Sequence, residues 1–177
     1  NILPNNQHNI VYSGALGEKQ NPNELLDVYD YISKNISNTI CYFFSQGPIF
    51  EELKKRNNNS KIKFYSLVSK DDVQELYARS SIQIVPQLPN TSNGSLPSKL
   101  PNILASETKT LVITDKNSEL EQLFNDYNLQ KVITTWDKQI IVCAIKELLE
   151  QKIDLKKQKI TAEKLFNINS LIGKIVS

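Results

Sequence analysis

The sequence predicts an α/β fold with a parallel sheet of about six strands and helices on both faces. Short apolar runs rich in Val, Ile, Tyr and Phe alternate with stretches of helical periodicity, and this alternation is typical of βαβ units. The chain has 177 residues, of which 40% are hydrophobic, and this length allows one substantial core. We therefore expect residues 1–177 to form a single domain.

The predicted strands are runs of β-branched and aromatic residues bounded by turn residues. They are Ile10–Ser13, Thr39–Ser45, Lys61–Tyr65, Ile82–Pro86, Thr110–Thr114 and Val132–Thr134. Helical patterns lie between them, so we expect the strands to run parallel.

Prolines and capping residues mark where the helices begin. The run Asn21–Glu24 contains an N-cap, a proline at the first helical position and a capping-box glutamate, and apolar residues at helical spacing follow it. Pro48 begins a second predicted helix, and Ser69 with Asp72 caps a third.

The last part of the chain predicts two helices with a charged break between them. Apolar residues from Ile141 to Leu149 predict a long helix, and the charged segment Lys152–Lys159 precedes a final helix near Ile160–Ile172. We expect residues 153–177 to form a crossover or packing helix. Its lysines predict a solvated face, and peripheral contact with an anionic membrane is the alternative.

Composition argues against several classes of function. The formal net charge of +2 provides no field that would hold a nucleic-acid backbone, so no nucleic-acid partner is expected. Cys41 and Cys143 lack metal-ligand or redox spacing, and we expect both to be reduced core residues. His8 is predicted to be a linker residue, and Trp136 is predicted to pack at the sheet edge.

Targeting signals are also missing from the sequence. No apolar run reaches the roughly 20 residues that span a bilayer, and no signal-peptide pattern opens the chain. We therefore expect a cytoplasmic location, with the inner face of the membrane as a possible site of contact. The chain starts at Asn1 and contains no methionine, which predicts that it is a piece of a longer polypeptide.

The segment Leu96–Ala105 indicates a phosphate site. We expect Ser98 to be the N-cap of a helix that runs through Ala105, with Lys99 beside it and Pro101 in the first turn. A helix N-terminus leaves about four N–H groups unpaired and carries a partial positive charge, so it favours an anion. A capped helix with an exposed lysine is the alternative.

The loop Ser13–Gln20 follows the first predicted strand and contains two glycines and a lysine. Gly14 and Gly17 permit close approach of the backbone to a ligand, and Lys19 could reach a phosphate. The loop lacks the third glycine of a dinucleotide fingerprint and is not a P-loop. An ordinary tight turn with a solvated lysine is the alternative.

Three polar segments follow predicted strands at their carboxyl ends: Ser13–Gln20, Gln87–Asn102 and Asp115–Glu119. Open α/β sheets place ligands at this edge, so we expect the three segments to converge on one crevice. The turn-rich part Gln87–Leu96 is expected to be mobile without a ligand.

Four blocks of the sequence, in order YSGALGEKQ, FFSQGP, LPSKLPNILAS and ITDKNSEL, resemble a known family. They are similar to the C-terminal half of GT-B glycosyltransferases, especially the family 4-like (group 1) enzymes of bacterial cell-surface polysaccharide synthesis. The resemblance covers nearly the whole chain. It implies a Rossmann-like donor-binding domain that lacks its N-terminal acceptor domain and is inactive without it.

The resemblance also assigns site residues, although it assigns no catalytic residue. The residues matched to the donor diphosphate site are Gly14, Gly17, Lys19, Ser98 and Lys99. The residues matched to the ribose or sugar site are Asn102, Asp115, Ser118 and Glu119. The nucleotide base would lie against the loop Leu67–Ser69.

The chemistry implied by the resemblance is sugar transfer with retained configuration. The donor is a nucleotide diphosphate sugar, and the acceptor is a glycan or a lipid-linked glycan. No cofactor and no metal are expected, because two lysines and a helix N-terminus would stabilise the departing diphosphate. The sequence contains no Asp-X-Asp triplet.

The sequence departs from the family pattern in three places. Ala15 stands near the position of a common arginine, and Gly94 and Asn102 occupy the places of paired glutamates. Glu107 stands at a C′ position where glycine is usual, so either the helix ends differently or a glutamate points near the phosphates. A catalytically degenerate GT-B subunit and a non-catalytic flavodoxin-like interaction domain remain as alternatives.

Overall fold

The computed structural model describes residues 2–92 and 96–166. These residues form a six-stranded sheet in which every adjacent pair of strands is parallel. The strands are β1 His8–Ser13, β2 Thr39–Phe44, β3 Ile62–Tyr65, β4 Ile82–Pro86, β5 Thr110–Ile113 and β6 Lys131–Ile133. All six predicted strands are therefore confirmed, with ends that differ by at most two residues.

The strand order is β3-β2-β1-β4-β5-β6. The chain runs outward from β1 to one edge of the sheet, returns to place β4 beside β1, and then runs to the other edge. At that reversal the loops that leave neighbouring strands diverge and open a crevice at the carboxyl edge. This is the Rossmann order, so the flavodoxin-like alternative, which would need a different strand order, is wrong.

The helices cover both faces of the sheet, as predicted. They are α1 Pro22–Asn35, α2 Pro48–Arg56, α3 Val73–Arg79, α4 Leu100–Ala105, α5 Glu119–Asp126, α6 Lys138–Glu150 and α7 Leu155–Phe166. Helices α1, α2 and α6 pack on one face, and α3, α4, α5 and α7 pack on the other. The strands are buried between these layers, which explains why they read as nearly continuous apolar runs.

The larger core lies under α1, α2 and α6. Its centre is Phe43, which is fully buried and has its ring centroid 4.8 Å from that of Tyr29 and 4.9 Å from that of Phe64. Burying an aromatic side chain of this kind contributes roughly 1.5–3 kcal/mol. The aromatic residues of β2 and β3 therefore anchor the first half of the sheet.

Helix starts depart in detail from the predicted caps. Asn21 precedes α1, but its backbone is left-handed, with φ 51°, and its side chain forms no capping hydrogen bond. The Ser69 hydroxyl accepts a hydrogen bond from the Asp72 N–H within a turn that precedes α3. Neither α1 nor α3 therefore has a side-chain hydrogen bond from its N-cap residue, and Ser69 caps the turn before α3 instead.

Two predictions for the second half of the chain are wrong. Cys41 is buried as expected, but Cys143 is exposed on the outer side of α6. The predicted break over residues 152–159 is too long, because only residues 151–154 separate α6 from α7, which begins at Leu155. Lysines are good helix formers, and their charged ends stay in solvent on a surface helix. Residues 167–172 of the predicted final helix lie outside the described residues.

Glu107 follows α4 in the left-handed conformation, with φ 57°. The predicted C′ geometry is therefore present with a glutamate in place of glycine. Its carboxylate lies 3.7 Å from the Lys159 ammonium, beside the amino ends of the strands and away from the carboxyl-edge crevice. The hypothesis that Glu107 points near the phosphates is therefore wrong.

We expect the substitution Glu107→Gly to raise the free energy of unfolding by about 0.5–1 kcal/mol, because glycine adopts a positive φ without strain. Urea unfolding measures this change. The matched variant Glu107→Ala loses the same surface ion pair but keeps the strain, so it should not be stabilised. Equal effects of the two variants would contradict this account.

Candidate functional site

A cavity of about 220 Å³ lies at the carboxyl edge of the sheet, where β1 and β4 are neighbours. Its wall is formed by the ends of β1 and β4, the loop after each of these strands and the start of α4. The two basic side chains that line it are Lys19 and Lys99. The crevice expected from the sequence is therefore present, with two of the three predicted segments around it.

Lys99 is a hydrogen-bonded cation in the wall of the cavity. It is half-buried, and its ammonium donates a hydrogen bond of 3.0 Å to the Ser13 carbonyl at the end of β1. Among the described residues no carboxylate forms a salt bridge with it. Burial lowers the pKa of Lys99 below its ordinary value. The cavity thus holds a cation whose charge is not neutralised by a neighbouring acid.

Gly14 makes the position of Lys99 possible. A Cβ at residue 14 would lie 1.9 Å from the Lys99 Nζ atom, and the backbone there has φ +140°, which side-chain-bearing residues rarely adopt. The Gly14 N–H donates to the Phe44 carbonyl, and the Ser45 hydroxyl donates to the Gly14 carbonyl. Hydrogen bonds to β2 and the loop after it therefore fix the glycine beneath the ammonium.

The other two predicted residues of the first loop behave differently from Gly14. Gly17 has φ −125°, a value open to any residue, and its N–H donates a hydrogen bond of 2.8 Å to the Gln20 side chain. Lys19 is exposed and lines the cavity, and its carbonyl accepts a hydrogen bond of 2.7 Å from the Leu88 N–H. Lys19 can therefore reach an anion bound in the cavity.

The predicted helix start at Ser98 is wrong by one residue. Helix α4 begins at Leu100, Lys99 is its N-cap, and no side chain caps it. The Leu100 N–H is already bonded to the Pro97 carbonyl at 3.0 Å, so this turn satisfies the first donor without a serine hydroxyl. Ser98 is exposed and lines the cavity, where its hydroxyl is available to a ligand.

The four residues predicted for the ribose or sugar lie outside the lining of the cavity. Asn102 and Glu119 are exposed, whereas Ser118 is buried and caps α5 by accepting a 3.0 Å hydrogen bond from the Glu121 N–H. Asp115 binds the loop after β4. A role of these residues toward a sugar stays a prediction.

Comparison with known proteins gives the family. The family model of the glycosyl transferases group 1 matches residues 1–165. The chain belongs to this family. Its fold class, a Rossmann-like domain of GT-B type, is confirmed by the strand order and by the solved structures it resembles.

One named relative and two solved structures are similar to this group 1 glycosyl transferase. WcaI of Escherichia coli (strain K12), named as a colanic acid biosynthesis glycosyl transferase, is 29% identical over 124 residues, which are 68% of this chain and 30% of WcaI. The structure of TarM matches with TM-score 0.68 at 10% identity, covering 97% of this chain and 34% of TarM. A structure described as trehalose-6-phosphate from E. coli bound with UDP-2-fluoro glucose matches with TM-score 0.60 at 8% identity. The match covers 92% of this chain and 40% of the chain in that structure. The chain thus spans well under half of each relative.

Residues 2–92 and 96–166 of this glycosyl transferase contain no cluster of three or more His, Cys, Asp or Glu side chains that could hold a metal ion. Over the same ranges no helix has the length and apolar character needed to cross a membrane.

A buried layer of polar side chains lies beneath Lys99 and was not predicted from the sequence. The Ser13 hydroxyl donates to the Gln83 side-chain oxygen at 3.3 Å, and the Gln83 amide donates to the Ser80 hydroxyl at 2.9 Å. Gln83 lies on the central strand β4 and is fully buried. This layer fixes the end of β1, whose carbonyl holds Lys99. A glutamine within the apolar run IQIVP was the signal that could have identified it.

A second group of contacts that the sequence did not predict fixes residue 87. The Thr114 hydroxyl donates to the Gln87 side-chain oxygen at 2.5 Å, and the Trp136 indole donates to the Gln87 carbonyl at 3.1 Å. Trp136 also packs against the core, so its prediction as a packing residue is confirmed. Bonds from the loops after β5 and β6 thus set the start of the loop after β4.

We expect Gly14→Ala to lower the free energy of unfolding by about 1–3 kcal/mol, because a side chain at φ +140° is strained. Gly17→Ala is the matched control and should cost much less, since its φ is ordinary and its nearest neighbour is a flexible side-chain atom at 3.3 Å. Urea unfolding of both variants gives the comparison. If Gly17→Ala lowered the free energy of unfolding more than Gly14→Ala, the strain assigned to Gly14 would be contradicted.

The lowered pKa of Lys99 predicts a specific dependence of stability on pH. The folded state releases this proton at a lower pH than the unfolded chain, so this contribution to stability increases as pH rises from the folded pKa toward the ordinary value near 10.5. The stability of the native chain relative to Lys99→Met should therefore increase over that window. Urea unfolding at several alkaline pH values tests this, with Lys152→Met as the control. No change with pH would refute it.

Proposed function

We propose that this chain is the donor-binding domain of a retaining glycosyltransferase. The protein would transfer a sugar from a nucleotide diphosphate sugar to a glycan or lipid-linked acceptor in cell-surface polysaccharide synthesis. The observation that supports this proposal best is the Lys99 ammonium, which lies in the carboxyl-edge cavity without a carboxylate partner among the described residues. An anion bound there would supply the missing negative charge.

The chemistry of the cavity suits a diphosphate leaving group. When the bond to the sugar breaks, negative charge grows on the phosphate oxygen that leaves. Lys99 and Lys19, which both line the cavity, can stabilise that charge, and the Ser98 hydroxyl can donate a hydrogen bond. Partial burial strengthens the interaction with Lys99, because the local dielectric is lower than that of water.

The names of the relatives support the same substrate class. WcaI is named for colanic acid biosynthesis, and the trehalose-6-phosphate structure was obtained with UDP-2-fluoro glucose. We extend these properties to this chain as a proposal. Use of a nucleotide sugar would also place the protein in the cytoplasm.

The remainder of the enzyme is part of the proposal. We propose an N-terminal domain that binds the acceptor and closes over the donor site, because positioning of both substrates is needed for transfer. A catalytic residue, if the reaction uses one, would belong to that domain. We also propose that the lysines make a metal unnecessary, so nucleotide affinity should not change when EDTA is added.

The catalytically degenerate subunit remains the second candidate function, and one observation favours it. Ala15, which stands near the position of a common arginine in relatives, lines the cavity and contributes no charge. A degenerate subunit would retain the fold and bind nucleotides weakly or not at all. Nucleotide affinity therefore separates the two candidates.

We expect Lys99→Ala to weaken binding of a nucleoside diphosphate by about 10–100-fold, the equivalent of one charge-assisted hydrogen bond of about 1.5–3 kcal/mol. Binding of the uncharged nucleoside should change little. Calorimetric titration of the native chain with UDP, GDP and ADP identifies the base, and the variant is then titrated with that nucleotide and its nucleoside.

The control for this titration is Lys152→Ala, which removes an exposed lysine near the amino ends of the strands. It should leave both affinities unchanged. Equal losses of nucleoside and nucleotide in Lys99→Ala would refute the phosphate assignment. A folded native chain that binds none of the nucleotides would favour the degenerate subunit.

A further inference from the structure

Asp115 uses both of its carboxylate oxygens to bind one loop. One oxygen accepts a hydrogen bond of 3.0 Å from the Asn90 N–H. The other accepts the Ser92 hydroxyl at 2.6 Å and the Ser92 N–H at 3.4 Å. The loop after β4, residues 87–92, is thus held by a side chain that comes from the end of β5.

These hydrogen bonds balance the charge of the carboxylate. Among the described residues no cation forms a salt bridge with Asp115. The Ser92 hydroxyl and the loop N–H groups lower the pKa of the Asp115 carboxyl. Asn90 has φ 65°, and a left-handed residue of this kind lets consecutive N–H groups point inward at one anion. The loop is therefore shaped around the carboxylate.

The residue between the two anchors faces the proposed donor site. Thr91 lines the cavity together with Lys19 and Lys99. Its hydroxyl donates to the Leu88 carbonyl at 2.6 Å, and the Leu88 N–H donates to the Lys19 carbonyl. The bonds of Asp115 and of Lys19 thus fix Thr91 from both sides.

From this geometry we infer that Asp115 is a positioning residue that holds Thr91 and the rest of the 87–92 loop in the wall of the donor cavity. Both of its oxygens accept hydrogen bonds from the loop, so its effect on the donor would act through the loop. The inference rests on the proposed function for its effect on donor binding. The fixation of the loop itself rests only on the contacts above.

The first experiment measures the loop directly, without any ligand. Asp115→Asn replaces one acceptor oxygen by a donor, so hydrogen exchange at the Asn90 and Ser92 amides should accelerate at least tenfold, while exchange in β1 and β4 stays unchanged. Asp126→Asn is the control, because it removes an equally charged, exposed aspartate from the end of α5. Unchanged exchange at the two loop amides would overturn the inference.

The second experiment measures donor binding by calorimetry with a nucleoside diphosphate and its sugar conjugate, using the base identified for the native chain. Asp115→Asn should weaken both ligands by the same factor, roughly fivefold to tenfold. Ser92→Ala should weaken them less, and the double variant should lose no more than Asp115→Asn alone, since both substitutions break one contact. A loss confined to the sugar conjugate, or additive losses, would show that Asp115 contacts the sugar and would overturn the inference.

The two experiments separate this inference from the proposed function. If the native chain binds no nucleotide, the proposed function fails, and hydrogen exchange still decides whether Asp115 fixes the loop. If the native chain binds a nucleotide but Asp115→Asn binds it equally well, the inference fails and the proposed function stands.

Discussion

The contact on which the proposed site depends is the hydrogen bond between the Lys99 ammonium and the Ser13 carbonyl. It joins residues that are 86 positions apart in the chain, and it exists because β1 and β4 are neighbours at the reversal of the strand order. The contact requires a glycine at position 14, since a side chain there would occupy the space of the ammonium. The position of one cation thus depends on the topology of the whole sheet.

The carboxyl edge of the sheet is a set of loops that hold one another. The loop after β4 receives bonds from the first loop, through the Lys19 carbonyl, and from Thr114, Asp115 and Trp136 after β5 and β6. Several bonds of this loop use a backbone group on at least one side. Such contacts fix the path of the loops, and within residues 2–92 and 96–166 none of them engages the Lys19 ammonium or the Ser98 hydroxyl.

The structure also shows how a short helix can present a cation without a side-chain cap. Helix α4 has six residues, and the turn before it already pairs the first N–H group. The favourable environment for an anion therefore comes mainly from the Lys99 charge, which a half-buried position strengthens.

The sequence by itself determined the order and limits of the six strands, the covering of both faces and the segments that meet at the carboxyl edge. These features follow from hydrophobic periodicity, prolines and turn residues, which act locally along the chain. The resemblance in four sequence blocks also gave the family, because the blocks keep their order and spacing.

Only the tertiary structure decided what the individual side chains contact. The sequence predicts Asp115 and Ser118 as ligand residues, and only the fold shows that Asp115 also holds a loop and that Ser118 also caps α5. Glu107 faces Lys159 and Cys143 faces solvent. A hydrogen-bond partner distant in sequence depends on strand register and side-chain direction, and a shift of one residue reverses the face on which a strand residue lies. Local patterns do not contain that information, and packing supplies it.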